Sequence, residues 1–179
     1  LRAALAADAN LGQTGSDCVP RRGLQAFGRV YAGWAYSPEY FRRELWSEDG
    51  YTTLEALLGD WEDEHLAWDA QDLLAMLDSW LTARLDAQAE SAFKARLAGI
   101  RARTISLSCA HDAYFPATEA AAEMAYIANG RCDVVDSLRG HVAGGPGREQ
   151  RFGEALGRAA RELLVDYAPG EGSWSSAIE

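Results

Sequence analysis

The sequence predicts an α/β fold in which a long helical region precedes a short run of alternating strands and helices. Helical periodicity extends over residues 1–98, and the pattern changes to strand, helix, strand and helix over residues 99–167. Strand–helix–strand units form parallel pairs with a right-handed connection. We therefore expect a helical lid or cap over residues 1–98, part of a parallel sheet over residues 99–167, and a flexible tail over residues 168–179.

Apolar residues in the first region recur at spacings of three and four, which is typical of amphipathic helices. One helix is predicted after Pro20. Thr52 and Glu55 have the spacing of a capping box at the start of another, and Asp69 is placed to cap a third. The apolar faces of the first and third helices are predicted to be Leu24, Phe27, Val30, Tyr31 and Trp34, and Leu73, Leu74, Met76, Leu77, Trp80 and Leu81. These large aromatic residues, with no strand pattern among them, favour a lid over a compact bundle.

Two β-strands are predicted after Gly99. Residues 103–109 alternate between apolar and polar and are rich in β-formers, and residues 132–137 form a second such run. A helical pattern follows each strand. The first of these helices is predicted to begin near Pro116 and to end at Gly130, and its apolar face is Ala120, Ala121, Met124 and Ile127. The last helix carries Phe152, Leu156, Ala159, Leu163 and Tyr167.

The two predicted strands are too few for a complete sheet. A parallel sheet is buried on both faces, and a sheet of two strands is not stable on its own. The sequence also begins at Leu1, within a helical pattern and without Met. We therefore expect a piece of a longer product, whose remaining strands lie in a partner chain or a severed segment.

Composition and charge exclude several functions. The sequence has 27 acidic and 17 basic residues, a net charge of −10, and no cluster of basic and aromatic residues that would bind nucleic acid. No apolar run approaches the ~20 residues of a membrane span, so we expect no membrane contact. No signal peptide is present, which says little about localisation in a piece of a longer product, and we expect a cytoplasmic protein. Cys18, Cys109 and Cys132 are widely spaced, which favours reduced thiols.

Asp112 and His141 are the candidate catalytic residues, because each follows a predicted strand. A His on a Gly-rich loop can serve as a general base near neutral pH, and an Asp can orient it by accepting the Nδ1 proton. The order of acid then base is that of the last part of a Ser-Asp-His triad, but no Gly-x-Ser-x-Gly nucleophile motif occurs in the sequence. The same residues alone also fit a surface-loop His and an Asp that caps a turn.

The other histidines and cysteines indicate no further site. His111 lies beside Asp112 and is expected to be structural, and His65 lies in an acidic stretch and is expected to be solvated. No spacing of Cys and His matches a zinc site, so we expect no metal. No nucleotide-binding Gly motif is present.

Several segments resemble those of the homoserine O-acetyltransferase-like α/β-hydrolases. Residues 112–116 resemble the Asp-x-x-Phe-Pro acid segment of that family, and residues 139–147 resemble the Gly-His-x-Ala-Gly-Gly-Pro-Gly base loop of one of its branches. Residues 1–8, 28–34 and 68–74 resemble segments of its lid. The resemblance extends over residues 1–166 and implies the lid and C-terminal part of an α/β-hydrolase fold.

The resemblance implies a serine-dependent O-acyltransferase that forms an acyl-enzyme. No cofactor is expected to be bound, and acetyl-CoA or another acyl-CoA would be the co-substrate. The partner would be an N-terminal α/β-hydrolase fragment that carries the Ser, and homo-oligomers would form through the lid. Arg29, Trp34 and Tyr114 become candidates for binding a small-molecule substrate, with Arg29 the candidate for a substrate carboxylate.

Two departures from the family argue against homoserine as the acceptor. Val142 follows the base, where the homoserine-specific branch has Asp, and residues 83–85 lack the Asp that relatives carry after the later lid helix. Alternatives to the acyltransferase therefore stay open. They are an esterase of the same fold, a non-catalytic subunit derived from it, and an independent helical binding module.

Overall fold

The structure is a computed structural model that describes residues 1–13, 18–83 and 90–165. The helices are α1 (Arg2–Ala6), α2 (Arg21–Ala35), α3 (Pro38–Arg42), α4 (Leu54–His65), α5 (Ala70–Thr82), α6 (Glu90–Ala98), α7 (Ala117–Met124) and α8 (Gln150–Val165), and the strands are β1 (Thr104–Cys109) and β2 (Gly130–Val135). Short 3-10 helices span Leu45–Ser47 and Gly140–Gly144. The predicted tail, Tyr167, Arg84 and Leu85 lie outside the described residues. None of the described helices is long and apolar enough to cross a bilayer.

The described part of residues 1–98 is built from helices packed around two apolar clusters. Leu5, Leu24, Phe27, Ala70, Leu73 and Leu77 form the first cluster, and Tyr36, Tyr40 and Leu57 form the second. Helix α2 confirms the helix predicted after Pro20, although only part of its predicted apolar face is covered. Val30 is 45% exposed and Trp34 is 56% exposed, so this end of α2 presents apolar surface.

The predicted cap of α4 is wrong by one residue. Thr53, not Thr52, is the N-cap, and its hydroxyl accepts a hydrogen bond from the backbone N–H of Ala56 at 3.1 Å. Glu55 therefore lies at the second helical position and does not complete a capping box. The cap predicted for α5 is confirmed, because Asp69 accepts hydrogen bonds from the backbone N–H groups of Gln71 and Asp72.

Strands β1 and β2 pair in parallel, from Thr104 opposite Gly130 to Cys109 opposite Val135. The prediction that Gly130 ends the preceding helix is wrong, because α7 ends at Met124 and Gly130 opens β2. The reason is packing: a Cβ at Gly130 would lie 2.7 Å from the Cβ of Ile127. Gly130 lets the chain pass over the buried Ile127 and enter the sheet two residues earlier than predicted.

Within the described residues, the strands are fully buried only at their C-terminal ends. Cys109 and Val135, the last residues of the strands, are buried, whereas Val134 is 54% exposed. Leu156 and Leu164 of α8 are also more than half exposed. Cys18, Cys109 and Cys132 are free thiols. Within the described residues, the sheet is therefore best fixed at the edge where the loops that carry Asp112 and His141 begin.

A pair of adjacent threonines tests the corrected cap. Thr53→Ala should lower the free energy of unfolding by about 1 kcal/mol, because the Ala56 N–H loses its partner. Thr52→Ala should change it by less than about 0.5 kcal/mol, since Thr52 is exposed and lies before the cap. Denaturant titration of both variants measures the difference, and equal effects would contradict the assignment.

Candidate active site

Asp112 and His141 meet beyond the ends of the two strands. Asp112 lies three residues after β1, and His141 lies in the 3-10 turn that follows β2. His141 Nδ1 is 3.0 Å from Asp112 Oδ2. An ionised carboxylate only accepts hydrogen bonds, so Nδ1 carries the hydrogen and donates a hydrogen bond to Asp112 Oδ2. The ring nitrogen Nε2 is then the one that can accept a proton.

The Asp112 carboxylate is held through both of its oxygens. While Oδ2 faces His141, Oδ1 accepts hydrogen bonds from the backbone N–H groups of Tyr114 at 2.7 Å and Phe115 at 3.1 Å. Its side chain is only 9% exposed. Asp112 thus has the turn role that was the alternative to catalysis, and it orients His141 with its second oxygen.

The His141 loop depends on Gly140. Its φ of +62° lies in the left-handed region, and a Cβ there would lie 2.9 Å from both the carbonyl oxygen of Ala35 and the backbone N of Ser37. A side chain at position 140 is therefore excluded by backbone conformation and by the end of α2. This contact places the His141 loop directly against the turn between α2 and α3.

Ser37 fastens the same turn to the loop. Its hydroxyl donates to the carbonyl oxygen of Leu138 at 2.5 Å and accepts from the backbone N–H of Tyr40 at 3.1 Å, which caps α3. Val142, on the other side of His141, packs against the apolar cluster that contains Tyr40. The residue that departs from the homoserine-specific branch therefore anchors the loop by apolar contact.

Arg139 adds an ionic link between the loop and the helical region. Its guanidinium donates to Asp49 Oδ1 at 2.7 Å and lies 3.2 Å from Glu149 Oε2. The hydrogen bond to Asp49 raises the pKa of Arg139. Asp49 also accepts from the Tyr40 hydroxyl at 2.7 Å, and Glu149 accepts from the Ser137 hydroxyl at 2.9 Å. The side chains of Arg139, Asp49 and Glu149 are each less than a quarter exposed, and their contacts link the loop to the helices.

Aromatic rings line one side of His141. The Tyr114 ring centroid is 4.6 Å from that of His141, and Phe115 is 5.5 Å away. From the helical region, Tyr31 meets Tyr114 at 5.4 Å and Trp80 meets it at 6.2 Å. The helices therefore contribute aromatic rings to the surroundings of the Asp112–His141 pair.

The structure brings only one of the three substrate-binding candidates to His141, which is Tyr114. Arg29 donates to both Glu55 oxygens, at 2.9 and 2.8 Å, and also pairs with Glu62. The bond to Glu55 raises the pKa of Arg29. Trp34 makes no ring contact with Tyr114 or His141 in the described part of the chain. The substrate roles of Arg29 and Trp34 stay predictions.

The sequence pattern places Tyr31 and Trp80 on apolar helix faces and does not predict that they lie near Asp112. Their aromatic character at helical spacing is a weak signal, because core aromatics share it. The sequence gives a stronger signal for Phe115, because this residue lies in the segment 112–116 and its backbone N–H donates to Asp112.

The expectation that His65 is solvated is wrong. It is 5% exposed, its Nδ1 is 2.7 Å from the carbonyl oxygen of Trp61, and its ring stacks on Trp61 at 5.7 Å. The physical reason is a glycine on α2, because a Cβ at Gly28 would lie 2.9 Å from the His65 Nδ1. His111 pairs with Asp136 at 3.3 Å and is 40% exposed, away from the His141–Asp112 contact.

The chain is similar in sequence to a known bacterial protein. The chain is 26% identical over 121 residues to the probable esterase Cgl0839 of Corynebacterium glutamicum. The match covers 67% of this chain and 35% of that protein. No protein-family model matches the chain.

Solved structures resemble the chain over almost all of its length. An acetylester hydrolase from Corynebacterium glutamicum has a TM-score of 0.83 at 22% identity and covers 91% of this chain. The acetyl esterase MekB has a TM-score of 0.79 at 23% identity, and esterase E22 has 0.69 at 17%; each covers 90% of this chain. The chain spans 47% of the first of these proteins and 48% of the other two.

These likenesses confirm the predicted fold class. The chain has the α/β-hydrolase fold over the part that it spans, with a mostly helical region ahead of a small parallel sheet. The relatives are esterases and an acetylester hydrolase, so they support the esterase alternative better than the acyltransferase.

Alanine substitutions at Gly147 and Gly140 distinguish the cost of a left-handed backbone from the cost of a steric clash near His141. Gly147→Ala should lower the free energy of unfolding by about 1–2 kcal/mol, because φ is +72° but no atom lies within 4 Å of the added Cβ. Gly140→Ala should cost a further 1–3 kcal/mol, roughly, since its Cβ also meets the backbone of residues 35 and 37. Thermal and denaturant unfolding measure both variants, and equal losses would contradict the packing role.

Proposed function

We propose that this chain supplies the acid and the base of a serine esterase of the α/β-hydrolase fold. The observation that carries the proposal is the 3.0 Å contact between His141 Nδ1 and Asp112 Oδ2 at the ends of adjacent parallel strands. The similarity to esterases in sequence and in fold supports the reaction class. The nucleophile would lie in a segment or partner chain outside these residues.

The pair has the arrangement that a general base requires. Asp112 fixes the tautomer in which Nδ1 is protonated, and it stabilises the imidazolium that forms when Nε2 accepts a proton. The His141 side chain is 39% exposed, so Nε2 can be approached by a serine hydroxyl. Gly140, Ser37 and Arg139 hold the loop and keep the ring in line with Asp112.

The proposed reaction proceeds in two stages. His141 Nε2 takes the serine proton while the serine oxygen attacks the ester carbonyl, and the alcohol leaves with that proton as the acyl-enzyme forms. A water then attacks the acyl-enzyme, giving its proton to Nε2. The serine oxygen leaves with this proton, which releases the carboxylic acid and restores the neutral His141.

The proposed partner is an N-terminal α/β-hydrolase fragment that carries the nucleophilic Ser. The sheet supports it, because β1 pairs only with β2 in the described residues and Val134 is more than half exposed. Unpaired strand edges and uncovered parallel sheets are normally completed by further strands. That the chain spans about half of the solved esterases agrees with such a partner.

Hydrolysis is proposed over acyl transfer because the proteins that the chain resembles in sequence and fold are esterases and an acetylester hydrolase. An acyl-CoA co-substrate was expected only from the resemblance, and water replaces the acceptor alcohol in the present proposal. The aromatic wall of Tyr31, Trp80, Tyr114 and Phe115 suits a small ester with an apolar part. Homo-oligomers through the helical region stay a prediction.

Replacement of the acid–base pair tests the proposal in the assembled protein. His141→Ala and Asp112→Asn should each lower kcat/KM for 4-nitrophenyl acetate by about 10³- to 10⁴-fold. In the Asn variant, the side-chain oxygen can keep the backbone bonds while His141 loses its acceptor. His111→Ala is the matched control and should retain activity, since His111 pairs with Asp136 instead.

Unchanged hydrolysis by His141→Ala would contradict the catalytic role and favour a non-catalytic subunit. The same assay distinguishes hydrolase from transferase when acetyl-CoA and an alcohol are supplied together. The proposal predicts acetate from the ester and no acetylated alcohol from acetyl-CoA. Transfer of the acetyl group from acetyl-CoA to the alcohol, if it depended on His141, would favour the acyltransferase function over hydrolysis.

A further inference from the structure

The hydroxyl of Tyr114 is buried and has no hydrogen-bond partner. It is the one such side-chain atom found in residues 1–13, 18–83 and 90–165. Buried hydroxyls are normally paired, because an unpaired one loses its bonds to water without compensation. The comparable hydroxyl of Tyr40, which is also buried, donates to Asp49 at 2.7 Å. The unpaired atom lies on the residue whose ring is nearest to His141 among the described ring contacts.

The position of this hydroxyl is fixed by the candidate active site itself. The backbone N–H of Tyr114 donates to Asp112, and its ring lies against His141 at 4.6 Å. Tyr31 and Trp80 approach the same ring edge to face, at interplanar angles of 80° and 73°. These contacts hold the ring, and within the described residues no group forms a hydrogen bond with the hydroxyl.

We propose that the Tyr114 hydroxyl, which is inaccessible while Tyr31 and Trp80 pack against its ring, donates a hydrogen bond to a second oxygen of the substrate when these two side chains move to admit it. The preferred substrates would then be small esters that carry an ether, hydroxyl or carbonyl oxygen in addition to the ester group. An ester with a methylene at that point would leave the hydroxyl unpaired in the complex, so the site discriminates against it. This inference rests on the proposed esterase function, because the substrate must reach His141.

The test uses the assembled protein, the Tyr114→Phe variant and two pairs of matched esters. 2-Hydroxyethyl acetate and propyl acetate differ by an oxygen on the alcohol side, and ethyl methoxyacetate and ethyl butanoate differ by one on the acyl side. Tyr114→Phe should lower kcat/KM about tenfold for the oxygen-bearing member of one pair. It should change the other member by less than about twofold, since neither interaction nor volume is lost there. The pair whose kcat/KM ratio changes shows whether the second oxygen lies on the alcohol side or the acyl side of the ester.

Other kinetic results would overturn the inference. An unchanged ratio in both pairs would show that the hydroxyl does not recognise a second oxygen. An equal fall for both members of each pair would show contact with the reacting ester group or loss of structure. Tyr40→Phe is the control and should leave both ratios unchanged.

A stability measurement judges the inference independently of activity. Removal of an unpaired buried hydroxyl should leave the melting temperature of the assembled protein unchanged or raise it. Tyr40→Phe should lower it, because the bond to Asp49 is lost. A fall with Tyr114→Phe as large as that with Tyr40→Phe would show that another protein group pairs with the hydroxyl, which overturns the inference. Absence of ester hydrolysis with an unchanged melting temperature would overturn the proposed function and, with it, the substrate role.

Discussion

The parallel pairing of Cys109 with Val135 places the segments that follow both strands at one edge of the sheet. Asp112 is held by the turn after β1, in which two backbone N–H groups donate to one of its oxygens. The other oxygen is then left to orient His141 after β2. The geometry of the Asp112–His141 pair therefore follows from strand register and one turn, and the burial of the strand ends preserves both.

The helical region completes this arrangement from the opposite side. The turn between α2 and α3 touches Gly140 so closely that a side chain is excluded, and Ser37 bonds the carbonyl oxygen of Leu138. Arg139 adds a bond to Asp49, which lies 90 residues earlier in the chain. Because these contacts flank His141 directly, movement of the helices relative to the sheet would disturb the position of His141. The same helices supply Tyr31 and Trp80 to the aromatic wall.

How much the sequence could predict depended on whether a feature was local. The alternation of β1, the periodicity of α2 and the Asp69 cap are set by neighbouring residues, and Asp112 and His141 could be paired because each follows a strand. The environments of His65 and Gly130 depend on contacts with Gly28 and Ile127, which no local pattern records. Arg29 is predicted from the sequence to face a substrate, but its guanidinium pairs with the carboxylates of Glu55 and Glu62 from another helix.

The central claim is that this chain holds the acid and base of a triad whose serine lies elsewhere. Its most direct test is mass spectrometry of the assembled protein after reaction with a fluorophosphonate, which phosphonylates only an activated serine. We predict one adduct, on a serine outside this chain, and its loss in the His141→Ala variant. An adduct on a serine of this chain, or labelling that persists without His141, would contradict the account.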